Sequence, residues 1–388
     1  MSYSPSAEHP LTTASPYFPA EEQAWLQAEL AQILDGKLAM GPRVTRFEQE
    51  FAGFCGAEYG VAFPSGTASL ESALLALGTQ SGDEVLVPVE TFAATGMAIH
   101  LVGGRPVFTE ISADTFSMDF DDAWSRVTDR TRGAIVVHFG GLVAPRFPEF
   151  TARMRSTGRF VVEDAAHAHG ARLNGRRAGA FADAGCFSFH STKIMTTGEG
   201  GMVVTSNPRL AERARSLQNR GADMSSAEEL YLWPGRNNRF TEIAAAMGLS
   251  QLRCLNDFLE RRHRIAAIYD RRLAAGDLFR PLAPGTGVPS YWRYVAVARV
   301  PLDRRRLKAA LAADSIVIDW PYDPALHLQP VARHLFGTKP GMFPRSEDLM
   351  AKHICLPVNA RMRDIDAEYV ADRLTYHAAQ SSLDARVR

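Results

Sequence analysis

A single lysine stands between an apolar run and a glycine-rich return in the segment FSFHSTKIMTTGEGGMVVT, residues 187–205. The apolar residues 185–189 and 202–205 predict two buried strands, and the polar turn between them carries Lys193. Most lysines are solvated. A lysine among apolar and hydroxyl-bearing neighbours suits an amine with a depressed pKa that can form a Schiff base. The segment therefore indicates a lysine at the edge of a buried sheet.

Strands and helices alternate on both sides of this segment. Most of the predicted strands lack strict alternation of apolar and polar residues, as expected for strands buried on both faces. Good helical patterns lie between them, notably at 67–77 and 209–218. We therefore expect an α/β domain with a mainly parallel, seven-stranded sheet sandwiched by helices. The predicted strands are residues 60–63, 84–88, 106–108, 134–138, 160–163, 185–189 and 202–205.

The pattern changes after residue 250, and we divide the chain there. Residues 1–250 are expected to form a large domain, of which residues 1–17, rich in Ser, Thr and Pro, form a loose arm. Residues 251–388 are expected to form a smaller α+β domain. The elements predicted outside the sheet are helices at 20–34, 44–55, 252–273, 304–313 and 364–376 and strands at 294–300 and 316–318.

Composition excludes several classes of function. Lys plus Arg and Asp plus Glu both number 43, so no net charge attracts nucleic acid or an anionic membrane. The four cysteines are far apart, which speaks against a zinc site or a disulfide framework and favours a reduced, cytoplasmic setting. We expect no bound metal. The chain shows neither a signal peptide nor an apolar run of about 18 residues, so we expect no membrane span.

The motif PSGT, residues 64–67, follows a predicted strand and opens a helix. Ser65 can cap that helix, and Gly66 lets the backbone approach a ligand closely. Free N–H groups at a helix N-terminus bind anions such as phosphate. An ordinary helix cap has the same appearance, so the motif alone does not decide between the two interpretations.

The motif EDAAHAH, residues 163–169, ends another predicted strand with two carboxylates. In open α/β sheets, ligands bind at the carboxyl ends of the strands. A carboxylate there, such as Asp164, can pair with the protonated ring nitrogen of pyridoxal phosphate (PLP). His167 can bond a ring hydroxyl or stack on the ring. Taken singly, Asp164 fits a helix cap and His167 fits a core histidine.

In this order, the phosphate motif, the strand-end carboxylate and the lysine resemble fold-type I PLP enzymes. More narrowly, the chain resembles the DegT/StrS aminotransferases, which aminate keto sugars and some cyclitols. The resemblance runs from about Gly41 to Asp366. Its segments include FPSGTASLESALLALG, GDEVLVPVETFAAT, EDAAHAHGA, FSFHSTKIMTTGEGGMVVT and GRNNRFTEIAAAMGLSQL.

The resemblance implies a role for each matching residue. Lys193 would form the Schiff base, Asp164 would pair with the ring nitrogen, and His167 would lie near the ring hydroxyl. Asn237 matches an asparagine that reaches the phosphate of the neighbouring subunit, which implies a homodimer with shared active sites. The remaining expected cofactor contacts are Ser65, Gly66, Thr67 and Ser188 at the phosphate and Phe92 against the ring.

The reaction that the resemblance implies is a ping-pong transamination. An amino acid, expected to be L-glutamate, would convert PLP to pyridoxamine phosphate, and a keto sugar, expected to be a nucleotide-linked keto-deoxysugar, would then receive the amino group. A dehydrating branch of the family has histidine in place of Lys193, so that chemistry is not expected. Candidate substrate cations are Arg236, Arg239, Arg293 and His327, although surface ion pairs explain them equally well.

Alternatives remain open at this point. Arg236 and Asn238 stand where the family often has aromatic residues, so the acceptor could be a cyclitol or a non-nucleotide sugar. Residues 138–142 and 164–171 also resemble aminohydroxybenzoate synthases of the same fold. A nicotinamide enzyme would need GxGxxG after the first strand, and a P-loop NTPase would need glycine at Ala31. The intact set of expected PLP contacts argues against a non-catalytic regulator.

Overall fold

The structure, a computed structural model, describes residue 5, residues 9–274 and residues 276–386 of the 388-residue chain. Its helices are α1 (Ala20–Leu34), α2 (Pro42–Cys55), α3 (Gly66–Ala76), α4 (Ala93–Leu101), α5 (Phe120–Ser125), α6 (Phe147–Ser156), α7 (Pro208–Gln218), α8 (Glu242–Ala274), α9 (Arg304–Ala313), α10 (Pro330–Phe336), α11 (Pro344–Lys352) and α12 (Asp364–Arg386). Its strands are β1 (Tyr59–Phe63), β2 (Glu84–Pro88), β3 (Arg105–Thr109), β4 (Thr131–Val137), β5 (Phe160–Asp164), β6 (Arg172–Leu173), β7 (Arg176–Arg177), β8 (Ala184–Ser188), β9 (Gly201–Thr205), β10 (Phe279–Pro281), β11 (Gly287–Val288), β12 (Tyr294–Ala298) and β13 (His353–Leu356).

A seven-stranded sheet forms the centre of the larger part of the chain, in the order β1-β9-β8-β5-β4-β2-β3. The pairs β2–β3, β2–β4, β4–β5 and β5–β8 are parallel, whereas β9 runs antiparallel to both β1 and β8. Strands β2, β5, β8 and β9 are buried along their whole length, which explains their continuous apolar runs. The prediction of an α/β fold with a mainly parallel, seven-stranded sheet is confirmed.

One edge of this sheet collects the segments that the sequence singled out. Strands β1 and β8 both run antiparallel to β9, so they point the same way. Strands β2 and β5 share that direction through the parallel pairings. The residues that follow β1, β2, β5 and β8 therefore leave the sheet at the same edge, where ligands of α/β proteins bind.

The smaller part of the chain has its own core. Strand β12 pairs antiparallel with β10 and β13, and helices α8, α9 and α12 pack around these strands. Helix α8 runs unbroken through the expected boundary at residue 250 and begins ten residues before the predicted start at residue 252. One rigid helix therefore belongs to both parts of the chain.

The expected loose arm at residues 1–17 has fixed contacts where the structure describes it. Residues 1–4 and 6–8 lie outside the described residues, but Leu11 pairs with the backbone of Ser315 and Val317 and is buried in the core of the smaller part. Further along, Gln251 donates a hydrogen bond to the carbonyl of Tyr17. The strand predicted at residues 316–318 is reduced to one isolated bridge at Ile316, because a single N-terminal residue, Leu11, supplies its partner. In the described part of the chain, no helix has the length and apolarity of a membrane span.

Candidate active site

A cleft of about 480 Å³ lies at the edge of the sheet where β1, β2, β5 and β8 end. Its floor and one wall come from the larger part of the chain, and the opposite wall comes from Trp292, Arg293, Pro321 and Tyr322. All the expected cofactor residues except Asn237 line it. They are Ser65, Gly66, Thr67, Phe92, Asp164, His167, Ser188 and Lys193.

The turn between β1 and α3 packs directly against the end of β8. The Ser65 hydroxyl accepts a hydrogen bond from the Ala68 N–H at 3.1 Å and so caps α3. A Cβ atom at Gly66 would lie 2.8 Å from the Cβ of Ser188, so only glycine fits this contact. The N-terminus of α3 and the Ser188 hydroxyl therefore converge on one side of the cleft. This arrangement suits a phosphate group.

The two carboxylates that end β5 face opposite sides of the sheet, as successive strand residues do. Asp164 faces the cleft, where it accepts hydrogen bonds from the Thr95 hydroxyl at 2.7 Å and the Ala166 N–H at 3.2 Å. Glu163 points away from the cleft and accepts backbone N–H groups of the loop at residues 179–182. The Asp164 carboxylate is thus held in position to meet a ligand in the cleft, whereas the Glu163 carboxylate stabilises the loop at residues 179–182.

Lys193 lies in the turn after β8, where its backbone N–H donates to the carbonyl of His190 at 2.9 Å. Its ammonium group is 4.7 Å from the centre of the Trp292 ring. Burial lowers the pKa of Lys193 to about 8, with Arg293 adding to this effect and the Asp164 carboxylate opposing it. The amine can therefore lose its proton near physiological pH, as a nucleophile and base must.

His167 is buried between aromatic side chains. Its ring stacks on Trp292 with centroids 3.6 Å apart and planes 9° apart, and its Nε2 lies 2.9 Å from the Tyr322 hydroxyl. Burial lowers the pKa of His167 well below its usual value, and the charges of Lys193 and Arg293 act in the same direction. The imidazole is therefore neutral. Its Nδ1 has no hydrogen-bond partner among the described residues.

Comparison with known proteins identifies this arrangement. The profile of the DegT/DnrJ/EryC1/StrS aminotransferase family matches residues 20–375. The chain belongs to this family. The confirmed resemblance covers the family, the fold and the enzyme class.

Two relatives show how far the similarity extends. The dTDP-3-amino-3,4,6-trideoxy-alpha-D-glucose transaminase of Streptomyces venezuelae is 34% identical over 365 residues, which cover 91% of this chain and 92% of that enzyme. GDP-perosamine synthase of Caulobacter vibrioides is 32% identical over 343 residues, which cover 86% of this chain and 89% of that one.

Solved structures agree with the family assignment. Spr1654 of Streptococcus pneumoniae in its PMP form superposes with a TM-score of 0.89 at 27% identity and covers 97% of this chain and 100% of its own. The same protein has also been solved in a PLP form. This DegT-family chain is accordingly a PLP-dependent aminotransferase. The close contact at Gly66, the fixed Asp164 carboxylate and the unpartnered Nδ1 of His167 fit that cofactor.

The expected substrate cations separate into different places. Arg293 lines the cleft, where it donates to the carbonyl of Thr13 at 2.8 Å and lies 3.3 Å from Asp319. Arg236 and Arg239 do not line the cleft of their own chain. Both belong to residues 219–239, a largely exposed segment.

That segment, which we call the 219–239 segment, makes its own internal and local contacts. Arg236 forms an ion pair with Glu71 at 3.1 Å, and Arg239 donates to the Asn219 side chain at 3.1 Å. Asn237 forms an isolated backbone bridge with Asn219 and is exposed. The structure of one chain therefore does not bring Asn237 to its own cleft.

His327 is a correction to the expected substrate set. Its side chain is completely buried, with Nε2 3.0 Å from a Glu347 oxygen and the ring edge against Phe343. No substrate in the cleft can reach it, because it lies outside the cleft lining. The His327 ring is enclosed by Glu347 of α11 and by Phe343, which directly precedes that helix.

Among the cleft residues that the sequence interpretation missed, three contact the expected site residues directly. Thr95 stands one helical turn after Phe92, and the position of this hydroxyl on α4 was its only local signal. Trp292 and Tyr322 lie in the smaller part of the chain, far from the three motifs in sequence. Local patterns could not indicate them, because the tertiary fold alone brings them to the cleft.

Proposed function

We propose that this aminotransferase moves an amino group from L-glutamate to a keto sugar linked to a nucleotide, in two half-reactions of a ping-pong cycle. The observation that carries this proposal is the convergence of Lys193, Asp164 and the phosphate-binding turn on one cleft. The named activities of the Streptomyces and Caulobacter relatives support a nucleotide-linked acceptor.

The residues that would hold PLP follow from the geometry of the cleft. Gly66, Thr67 and Ser188, with the capping Ser65, would surround the phosphate, and exposed Phe92 would cover the ring. When bound, PLP supplies a protonated pyridine ring that withdraws electrons from the bond being broken. Asp164 would keep the ring nitrogen protonated, since Thr95 and Ala166 hold its carboxylate in place.

Lys193 would carry the proton transfers. Its amine would take the proton from the Cα atom of the donor and deliver it to the cofactor carbon that is joined to the amino nitrogen, acting first as base and then as acid. A pKa of about 8 suits both steps, because such a group exchanges protons readily near neutral pH. In the second half-reaction Lys193 would perform the same transfers in reverse on the acceptor.

We also propose that the chain forms a homodimer in which each of the two active sites contains residues from both copies. The 219–239 segment carries Asn237, Arg236 and Arg239 and a set of exposed apolar side chains, which a second copy would cover. Those cations could then meet the diphosphate of an acceptor in the partner's cleft. The exposed apolar residues of the segment are Met224, Leu230, Tyr231, Leu232 and Trp233.

A non-nucleotide acceptor, either a cyclitol or a free sugar, is the second candidate. The observation that favours it is the small positive charge of the single-chain cleft. Arg293 is the one arginine that lines it in the described residues, and Asp319 partly neutralises it. A diphosphate would therefore depend on the cations of the neighbouring copy.

The test is the visible absorbance of the purified protein. We expect a yellow PLP band that L-glutamate bleaches and that a nucleotide-linked keto sugar restores. A panel of keto sugars without nucleotide, keto cyclitols and nucleotide-linked keto sugars then separates the two candidates. Bleaching by another amino acid but not by glutamate would contradict the proposed donor. A band that only a cyclitol restores would contradict the proposed acceptor.

A further inference from the structure

We infer that Tyr322 and Trp292 are positioning residues that hold His167 in the tautomer with its proton on Nδ1, and so present that N–H to the cofactor as a fixed donor. The inference rests on the proposed function, because it assigns a task to two residues that contact His167, one of which, Trp292, also contacts Lys193. Both residues belong to the smaller part of the chain.

The first step is the orientation of the imidazole. Trp292 covers one face of His167 at a centroid distance of 3.6 Å, and the plane of the Tyr322 ring is nearly parallel to that of His167, at 8°. The hydroxyl of Tyr322 meets Nε2 at 2.9 Å. A ring that is stacked on one face and hydrogen-bonded at one edge cannot rotate without losing both contacts.

The second step is a count of hydrogen bonds. If the Tyr322 O–H donates to Nε2, the neutral ring carries its proton on Nδ1, and Nδ1–H is the only group of the pair without a partner. If Nε2–H donates instead, the Tyr322 proton and the Nδ1 lone pair are both left without a partner. The Tyr322 hydroxyl has no other hydrogen bond in the described structure, so the first arrangement is favoured.

The third step concerns charge. The ammonium of Lys193 lies 4.7 Å from the Trp292 ring and the Arg293 guanidinium lies 4.1 Å from it, so the wall beside His167 is already cationic. A third positive charge, on His167, would be repelled by both. A neutral ring with a single N–H avoids this repulsion and still donates to an anionic oxygen on the cofactor ring.

Trp292 also connects His167 to the lysine. Its indole N–H donates to the carbonyl of Thr192 at 2.9 Å, and Thr192 precedes Lys193 in the chain. The same side chain thus supports the imidazole with its face and the lysine turn with its edge. A change at Trp292 should therefore disturb both groups, whereas the loss of the Tyr322 hydroxyl should disturb His167 alone.

The experiment reads the tautomer directly in the PLP-free protein. Histidines labelled with ¹⁵N are observed by long-range ¹H–¹⁵N correlation, and His167→Gln identifies the signal of His167. We expect the wild type to show a neutral ring protonated on Nδ1 from about pH 5.5 to 8.5. In Tyr322→Phe we expect a mixture of both tautomers. Tyr59→Phe, which removes an exposed hydroxyl on β1, should leave the signal unchanged.

The loaded enzyme supplies a second readout. Tyr322→Phe is expected to lower kcat by about tenfold, the effect of one hydrogen bond, with little change in the KM of the sugar. Trp292→Phe retains a stacked ring, so it should lower kcat while His167 stays protonated on Nδ1. Protonation on Nε2 in the wild type, or an unchanged tautomer in Tyr322→Phe, would overturn the inference. If the tautomers behave as expected while glutamate leaves the PLP band untouched, the proposed function fails and the positioning pair does not.

Discussion

Lys193 and Asp164 share one cleft but are prepared in different ways. Asp164 is held by two hydrogen bonds, so its position is fixed before a ligand arrives. Lys193 is prepared through its pKa, which burial brings down to about 8. A fixed carboxylate suits a partner of the ring nitrogen, and an amine with a lowered pKa suits a carrier of protons.

Lys193→Ala is expected to reduce transamination by at least about a thousandfold, because no other amine lines the cleft in the described residues. The measurement is the rate of the glutamate half-reaction in protein reconstituted with PLP. Lys352→Ala is the matched control, since Lys352 pairs with Asp348 on the surface of α11. Near-normal turnover by the Lys193 variant would contradict the assigned role.

Glu90 is a buried acid that the proposed reaction does not use. It follows β2, is fully buried, and neither of its side-chain oxygens has a hydrogen-bond partner among the described residues. Burial raises the pKa of Glu90 well above its usual value, and the nearby charge of Asp164 raises it further. Glu90 therefore holds a proton in the folded protein at pH values where the unfolded chain would release it.

This proton makes stability depend on pH with a definite sign. A raised carboxyl pKa contributes stability that is fully present below the unfolded value of 4.5 and is lost as pH rises towards the folded value. The free energy of unfolding of the wild type should therefore fall, relative to that of Glu90→Gln, by up to about 1.4 kcal/mol per pH unit above that point.

Urea unfolding at a series of pH values checks this expectation, with Glu260→Gln, an exposed acid on α8, as control. Parallel pH profiles for the wild type and Glu90→Gln would contradict it.

At the scale of elements, helix α2 begins without a capping side chain of its own. Gly41 precedes it, and its first residue is Pro42. The missing cap comes from Glu242 on α8, whose buried carboxylate accepts the N–H groups of Gly41, Arg43 and Val44 at 2.9 to 3.0 Å. A negative charge at a helix N-terminus is also favoured by the helix dipole.

Glu242→Ala is expected to lower the free energy of unfolding by about 3 kcal/mol, because three backbone N–H groups, two of them buried, lose their acceptor. Chemical denaturation measures the change. Glu260→Ala, which removes an exposed acid from the same helix, should change the stability by less than about 0.5 kcal/mol. Equal effects of the two substitutions would show that the carboxylate does not act as the cap.

Local patterns predicted several elements with the bounds that the structure has. Strand β2 and helices α1 and α9 have the predicted bounds, because the residue pattern that marks each of them lies inside the element itself. The start of α8 was placed too late, since Glu242 serves a partner helix and gives no local signal. The strand expected at residues 316–318 failed because it depends on Leu11, some 300 residues away.

The same distinction applies to the cleft. Ser65–Thr67, Asp164, His167 and Lys193 were predicted because each lies in a short motif at a strand end, where the chemistry of neighbouring residues can be read together. Trp292 and Tyr322 were not predicted. Their contribution depends on how the smaller part of the chain packs against the larger, which no spacing in the sequence records.

At the scale of the whole molecule, the 219–239 segment provides a test of shared sites. If Asn237 acts in the neighbouring copy, mixing Lys193→Ala with Asn237→Ala should produce hybrids with one intact site, although each variant alone is impaired. Random exchange predicts recovery to about a quarter of the wild-type activity, because half of the dimers are hybrids and half of their sites are intact. Activity is measured after the variants are mixed under conditions that allow subunit exchange.

The control is Arg239→Ala mixed with Asn237→Ala, two changes on the same segment. Every hybrid site then lacks one of the two side chains, so no site is intact and mixing should give no recovery. Failure of the Lys193→Ala and Asn237→Ala mixture to recover activity would contradict sites shared between copies.

Helix α8 is a single continuous helix that connects the two parts of the enzyme. Its 33 residues span about 50 Å, and it is packed against α2 near one end and α12 near the other. A continuous helix that is packed at both ends resists a hinge motion between the two parts of the chain. We therefore expect the free and substrate-loaded forms to superpose as one body, with admission of a bulky sugar left to short loops at the rim of the cleft.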